Sequence, residues 1–456
     1  MFQVLKKGFS SGLLVCLLLL LSAGTSQLAA QEAWDLEKCI NHAVNNNLQI
    51  KLQEISEQLS AYQLSQSKAG MYPSLNGSAS YGINFGRSTD PTSNQFVTQR
   101  IQTSSFSLNS SVILFSGLTQ LNTVQQNKFN LMASHFLTEE TKNSVMLNVT
   151  AGFLQVLMSR ENIKSQEVQI GISLEQLDRS QKLVDAGVVP EGNLLNVKAQ
   201  LANDSLNYIN AVNNYDLAVL TLKLLLQVDP STEIEFAQGD ISIEQLLPDL
   251  LGGAETVYNA ALGNQPQIKR VEFSLKAAEK GLLANKGLHS PTISLGANVR
   301  TNYSSYELPP FVVKDPYFTQ INNNLSQTIG VSMNIPIFNG LTTHYSIKNS
   351  HLQLERSRYQ QQQVKDQLKQ DVYKAYTDAK SAAKRYDASG KNVQALETAF
   401  SYTQSMFDLG AVNALDYSTA KANLAQAQVT LITAKYDYIF KVKVLDFYQG
   451  KPIKLE

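Results

Sequence analysis

Phe115-Ser116-Gly117-Leu118-Thr119 recurs as Phe338-Asn339-Gly340-Leu341-Thr342, and this pair of short stretches decides how the chain is read. Working outward, Asp185-Ala186-Gly187 answers Asp408-Leu409-Gly410, and Lys198-Ala199-Gln200-Leu201-Ala202 answers Lys421-Ala422-Asn423-Leu424-Ala425. All three pairs share one offset of about 223 residues without a gap, so the chain carries an internal duplication. Earlier in each half, Gln49-Ile50-Lys51 answers Gln267-Ile268-Lys269 and Pro73 answers Pro291. Their offset is smaller, about 218 residues, which puts the longer inter-strand loop in the second half.

Each half reads helix, strand, strand, very long helix, helix. Proline is absent from Thr92 to Val189 and from Ile337 to Lys451, as uninterrupted helices require. Within the second run Val364, Leu368, Val372, Ala375, Ala379, Ala383 and Tyr386 recur every three or four residues, the period of one helix face. From Gly117 to Ala186 and from Gly340 to Leu409 the helix is about 70 residues, roughly 105 Å at 1.5 Å per residue. Two shorter helices stacked end to end would match that height. By length, Gly192–Val228 pairs with Glu255–Gly287, and Leu36–Gly70 with Asn413–Gln449, about 70 residues each. The break from Asp229 to Ala254, with Pro230, Pro248 and Gly252-Gly253, is then expected at mid-height as a small mixed collar that Trp34 would pack into. This divides the chain into a first repeat at 31–228, an equatorial segment at 229–254, a second repeat at 255–449 and a tail at 450–456.

Four segments alternate between apolar and polar residues, the first of them strictly. Leu75, Gly77, Ala79, Tyr81, Ile83 and Phe85 oppose Ser74, Asn76, Ser78, Ser80 and Asn84, and Phe106, Leu108, Val112 and Leu114 oppose Ser105, Ser107, Asn109 and Ser111. Ile293, Leu295, Ala297 and Val299 oppose Ser294, Asn298 and Arg300, and Leu325, Ile329, Val331, Met333 and Ile335 oppose Ser326, Thr328, Ser332 and Asn334. These strands, at about 73–86, 103–115, 291–303 and 325–337, are long enough to cross a hydrocarbon layer when tilted. Unpaired backbone groups in lipid cost several kcal/mol, and four strands are too few to close a barrel. Closure must come from other copies. Two copies give about eight strands around a filled interior, three give about twelve around a lumen, and the small polar residues of the inner face suit the second.

The first residues carry an address. Lys6 and Lys7 precede an apolar run from Leu13 to Leu21, and Leu28-Ala29-Ala30 offers cleavage before Gln31, so residues 1–30 are read as a secretory signal peptide. Cys39 alone remains after cleavage, as a small half-buried helix residue, so no internal disulfide is expected. Lysine plus arginine equals aspartate plus glutamate, 38 of each, which removes the electrostatic argument for a nucleic-acid partner. No apolar stretch after residue 30 approaches the roughly 20 residues of a membrane helix.

With these features in place, the sequence resembles the TolC-type family of outer-membrane efflux proteins over essentially the whole mature chain. The duplicated motifs at Phe115-Ser116-Gly117 and Phe338-Asn339-Gly340, and the helix tips at Gly187 and Gly410, carry the likeness. The resemblance implies a mainly α chain with membrane β-structure. Three copies would form a 12-stranded outer-membrane barrel, four strands per chain, continued by a long periplasmic α-helical barrel. It also implies a passive duct in the outer-membrane lipid, coupled through a periplasmic adaptor to an inner-membrane pump of the RND or ABC type.

Carried over by position, Gly187 and Gly410 are the turns at the inner end of the tunnel. Asp416 matches a carboxylate lining the constricted entrance, with Asn193 as its first-half counterpart. The next acidic position is Thr419 here, with Asn196 opposite, so a double acidic ring is reduced to one and cation block should weaken. Phe407 and Val412 stand where some members place polar groups that tie neighbouring coils, which argues against a salt-bridge latch there and for hydrophobic packing. Asp416 fits a solvated N-terminal helix acid equally well.

Catalysis and cofactors find no support: His42, His135, His289, His344 and His351 have no metal-ligand spacing, and there is no phosphate loop or nucleophile elbow. Tyr72, Tyr303, Tyr306, Phe311, Tyr317 and Phe318 gather at strand ends or in loops, as interface aromatics do. The alternative function is an exported long-coil structural or adhesive protein; four lipid-suited strands are a feature such a protein does not need.

Overall fold

The computed structural model describes residues 33–89, 94–98, 100–237, 253–305, 313 and 315–455. The signal peptide, most of the collar, Tyr306 and Phe311 lie outside the described residues.

The chain begins with α1 (Leu36–Asn46) and α2 (Leu48–Ala69), then β1 (Ser74–Asn84), a short hairpin of β2 (Arg87–Thr89) and β3 (Phe96–Thr98), and β4 (Ile101–Phe115). Next come α3 (Thr119–Asp185) and α4 (Glu191–Leu226). The second half follows with α5 (Gly253–Asn264), α6 (Pro266–Gly287), β5 (Thr292–Ser304), α7 (Tyr317–Asn323), β6 (Ser326–Asn334), α8 (Thr342–Asp408) and α9 (Ala414–Tyr448). The hairpin β2–β3 and helix α7 sit in segments read as plain loops; both are too short for a periodicity to register.

The two long helices are each 67 residues, about 100 Å. Each opens on a left-handed pair, Gly117-Leu118 with φ 62° and 63°, and Gly340-Leu341 with φ 64° and 62°. At Gly117 the glycine is doubly required, because an added Cβ would lie 2.3 Å from the Gly287 carbonyl. There the start of α3 and the end of α6 touch backbone to backbone.

Helix contacts correct the stacking inferred from length. The sheet-distal α4 meets α1, where Asn47 Nδ2 donates to the Leu225 carbonyl at 3.3 Å. The sheet-distal α9 meets α5 and α6 through Asn264 Nδ2 to Gln449 O and Gln265 Nε2 to Phe447 O, both 3.3 Å. So α4 (36 residues) stacks with α1 and α2 (11 and 22), and α9 (35) with α5 and α6 (12 and 22). Length could not decide this, since all four combinations are equal in height. The same junctions break the two sheet-proximal helices: Asn47 accepts from the Gln49 N–H at 2.9 Å, and Pro266 occupies the first turn of α6.

The result is a wall of four columns in the order α1/α2/α4, α3, α5/α6/α9, α8. Its largest core lies at mid-height, where Phe153, Val149, Leu222, Leu226, Ile439 and Phe236 are all buried. Trp34 is tied there by a parallel bridge to Phe236, its N–H donating to the Glu235 carbonyl at 2.8 Å. Cys39 belongs to this core and is fully buried rather than half-buried; burial pushes its thiol up to about 12. The stripe on α8 holds: Leu368, Val372, Ala375 and Ala379 are buried against Val257, Ala261 and Ile268.

Candidate functional site

The sheet runs β1-β4-β5-β6, every pair antiparallel. Register puts like with like: Ser78 faces Ser107, Asn109 faces Asn298, and Asn298 faces Thr328. On the other face Leu108 opposes Val299, Leu295 opposes Val331, and Ala297 opposes Ile329. One face is therefore a polar ladder, with Ser78–Ser107 at 2.8 Å, Ser80–Ser105 at 2.7 Å and a close Asn298–Asn109 bond. The opposite face leaves Leu75, Tyr81, Ile329, Val331 and Met333 exposed among the described residues. Such a sheet is stable only with lipid on one side and water on the other. Among the described residues β1 and β6 are each paired on one side only, so both outer edges are open. Among the described residues no helix is long and apolar enough to cross a membrane.

At the far end the long helices reverse through left-handed glycines, Gly187 at φ 71° and Gly410 at φ 73°. At the first, the Gly187 N–H donates to Val184 O and the Val188 N–H to Leu183 O, both at 2.9 Å. At the second, Gly410 bonds Phe407 O at 3.0 Å and Ala411 bonds Met406 O at 2.8 Å. Asn413 caps α9 by accepting from the Asp416 N–H at 2.9 Å, which places the exposed Asp416 carboxylate in the first turn. Thr419 is exposed and bonds its own helix at Leu415 O. Asn193 and Val412 are half-buried, Asn196 exposed.

Asn196 and Phe407 line one cavity together. It is about 350 Å³, lies between the two helical hairpins, and is also lined by Ser173, Leu415, Tyr417 and Lys421. Phe407 stacks on Tyr417 of the same hairpin at 4.9 Å between centroids. Burial first, then the nearby Asp408, pushes the Tyr417 phenol up to about 12.

A charged contact ties the two hairpins beside Phe407. Arg179 near the end of α3 forms a close ion pair with the Asp408 carboxylate, and its other nitrogen donates to Asp408 O at 3.1 Å. Deeper in, Lys421 of α9 is 3% exposed and its Nζ donates to Gln169 O at 2.9 Å, Ser173 Oγ at 2.5 Å and Asp204 Oδ2 at 2.8 Å. Ser173 Oγ in turn donates to Asp204 Oδ2 at 2.5 Å, and Gln200 to Asp204 Oδ1 at 2.9 Å. Burial lowers the Lys421 ammonium from its ordinary range, opposed by Asp204. Sequence reasoning passed over these residues, although the repeat held a signal: Lys421 matches Lys198, but Asp204 answers Ala427 and Ser173 answers Leu396. A charged pair that the duplication does not repeat marks a contact made once per chain.

A membrane-suited open sheet joined to a four-column helical wall defines the class: one segment of an outer-membrane channel wall. The chain belongs to the outer membrane efflux protein family, whose model matches residues 39–227 and 257–450, one block in each half. It is 23% identical over 416 residues to the outer membrane efflux protein BepC of Brucella suis biovar 1, covering 91% of this chain and 84% of that one. It is 20% identical over 319 residues to the outer membrane protein TolC of Escherichia coli, covering 70% and 63%. Among solved structures, that of CusC superimposes with a TM-score of 0.79 at 18% identity, covering 91% of this chain and 92% of that one. The Campylobacter jejuni CmeC outer membrane channel gives 0.75 at 19% identity, covering 91% and 85%.

Proposed function

We propose that three copies of this chain close a barrel of about twelve strands in the outer membrane and a helical tunnel below it, forming a passive exit duct for efflux or secretion. The observation that carries this is the pair of open edges, β1 and β6, on a sheet with one polar and one apolar face. An exported coil protein without channel activity has no use for such a sheet. The two matched blocks support a first repeat at 31–228 and a second at 255–449 around an equatorial segment at 229–254.

In this reading the turns at Gly187 and Gly410 form the periplasmic tip, with Asn193, Asn196, Phe407, Val412, Asp416 and Thr419 around its entrance. A single ring of three Asp416 carboxylates faces the lumen. A periplasmic adaptor protein engages the tip and links it to an inner-membrane RND or ABC-type pump, which selects the cargo. The test is reconstitution of the purified protein into a planar bilayer. Discrete conductance steps are expected, with divalent-cation block weakened in Asp416→Asn. Absence of any conductance from correctly assembled protein overturns the duct, and unchanged block removes Asp416 from the entrance.

A further inference from the structure

The duplication makes one in-chain contact a template for a contact between copies. Columns α3 and α5/α6/α9 touch within the chain, whereas the outer columns, α1/α2/α4 and α8, each have one side without a neighbouring column among the described residues. By repeat, α8 corresponds to α3, and α2 to α6. The in-chain packing of α3 on α6 should therefore recur as α8 of one copy on α2 of the next.

The template has a definite shape. Phe273 of α6 lies between two rings of α3, Phe129 at 6.2 Å and Phe136 at 5.5 Å between centroids, both stacked. Lys269 sits 5.6 Å over the Phe136 ring. Shifting by the offsets of about 223 and about 218 residues, Phe129 becomes Leu352, Phe136 becomes Tyr359, Phe273 becomes Ile55 and Lys269 becomes Lys51. All three apolar counterparts are bare within the single chain: Ile55 is 52% exposed, Leu352 62% and Tyr359 77%. They are not isolated, because Leu48, Leu52, Leu59 and Tyr62 continue the stripe along α2, and Tyr345 lies two heptads before Tyr359 on α8. The mapping conserves the apolar contact and the cation–ring pair, but not the Arg270–Glu140 ion pair at 2.7 Å, whose counterparts are Leu52 and Gln363.

We infer that the seam between copies is built on Ile55 of one chain inserted between Leu352 and Tyr359 of a second copy, with Lys51 over the Tyr359 ring. The inference rests on the assembly proposed above and fixes its helical register. Between copies, the seam is uncharged at Leu52 and Gln363, the level where the in-chain contact is an ion pair.

The test pairs Ile55→Cys with Tyr359→Cys in full-length protein, treated in outer-membrane fractions with a short thiol-specific bifunctional cross-linker. Cys39 is fully buried, so the parent protein serves as the unreactive control. A shift from monomer to dimer and trimer bands is expected for the double variant and for Ile55→Cys with Leu352→Cys. Neither single variant should shift, nor should Ile55→Cys with Tyr345→Cys, which lies about 21 Å further along the helix. A protein that runs as a trimer under native conditions yet gives no band for either expected pair overturns the register and leaves the duct intact. A native monomer overturns both. Independently, Ile55→Glu should convert native trimer to monomer with helical circular dichroism retained; a trimer unaffected by that buried charge contradicts the seam.

Discussion

Lys421 and Asp204 meet at 2.8 Å in the interior of the tip, a lysine from α9 and an aspartate from α4 that are 217 residues apart in sequence. Neither is more than 6% exposed, and each has further partners, so the pair is an internal junction between the two helical hairpins rather than surface decoration. Removing one partner leaves a charge buried without compensation, at about 3–5 kcal/mol. Lys421→Met should therefore lower the thermal midpoint far more than the double change Lys421→Met with Asp204→Leu. Circular dichroism melts of the three proteins decide it, and equal losses would show that the pair acts independently of its burial.

Tyr417 predicts a pH dependence. Its phenol is raised to about 12 when folded, against about 10 unfolded, so the folded state holds the proton more tightly. That contribution is fully present below pH 10 and is lost as pH rises through about 12. Tyr417→Phe keeps the ring beside Phe407 and Phe400 but has no proton to lose, so its stability should fall less steeply between pH 10 and 12. Tyr436, also raised mainly by burial, remains, so the slope should shrink rather than vanish. Denaturant titrations at pH 9, 10 and 11.5 measure this directly; parallel slopes for the two proteins would contradict it.

The Arg179–Asp408 pair is about 40% exposed on both sides, so Arg179→Ala should cost under about 1 kcal/mol. Because it ties the last turns of α3 and α8 beside the proposed entrance, its expected effect is on conductance instead. Single-channel recording should show larger or longer openings with an almost unchanged melting point. A large stability loss with unaltered conductance would assign the pair to folding alone.

Gly117→Ala should be among the most damaging single-methyl changes in the chain. The left-handed backbone alone costs about 1–2 kcal/mol, and the new Cβ would meet the Gly287 carbonyl and Ser290. Since that contact joins α3 to α6 next to the sheet, outer-membrane yield is expected to drop sharply, read by immunoblot of membrane fractions. Wild-type yield would mean that the junction relaxes.

Strand alternation and helix length were legible because they are local periodicities, carried by adjacent residues such as Leu75 to Ile83 or Val364 to Tyr386. The tip glycines were legible because the repeat named them twice. Lys421 was not: a lysine in a helical pattern reads as solvated, and only Asp204, brought from the other half, makes its burial tolerable. Arg179 and Asp408 escaped for the same reason, since no local pattern shows which charge faces Asp408 across the hairpins.

By itself the sequence determined the duplication, the four amphipathic strands and the 100 Å helices, because each follows from short-range pattern and from the hydrogen-bonding demands of lipid. Only the tertiary structure decided which short helix stands on which, that α4 joins α1 and α9 joins α5, and that charge ties the two hairpins together. Columns of equal height are interchangeable until end-to-end bonds such as Asn47 to Leu225 select one arrangement. A buried ion pair likewise exists only once long-range packing has removed the water from around it.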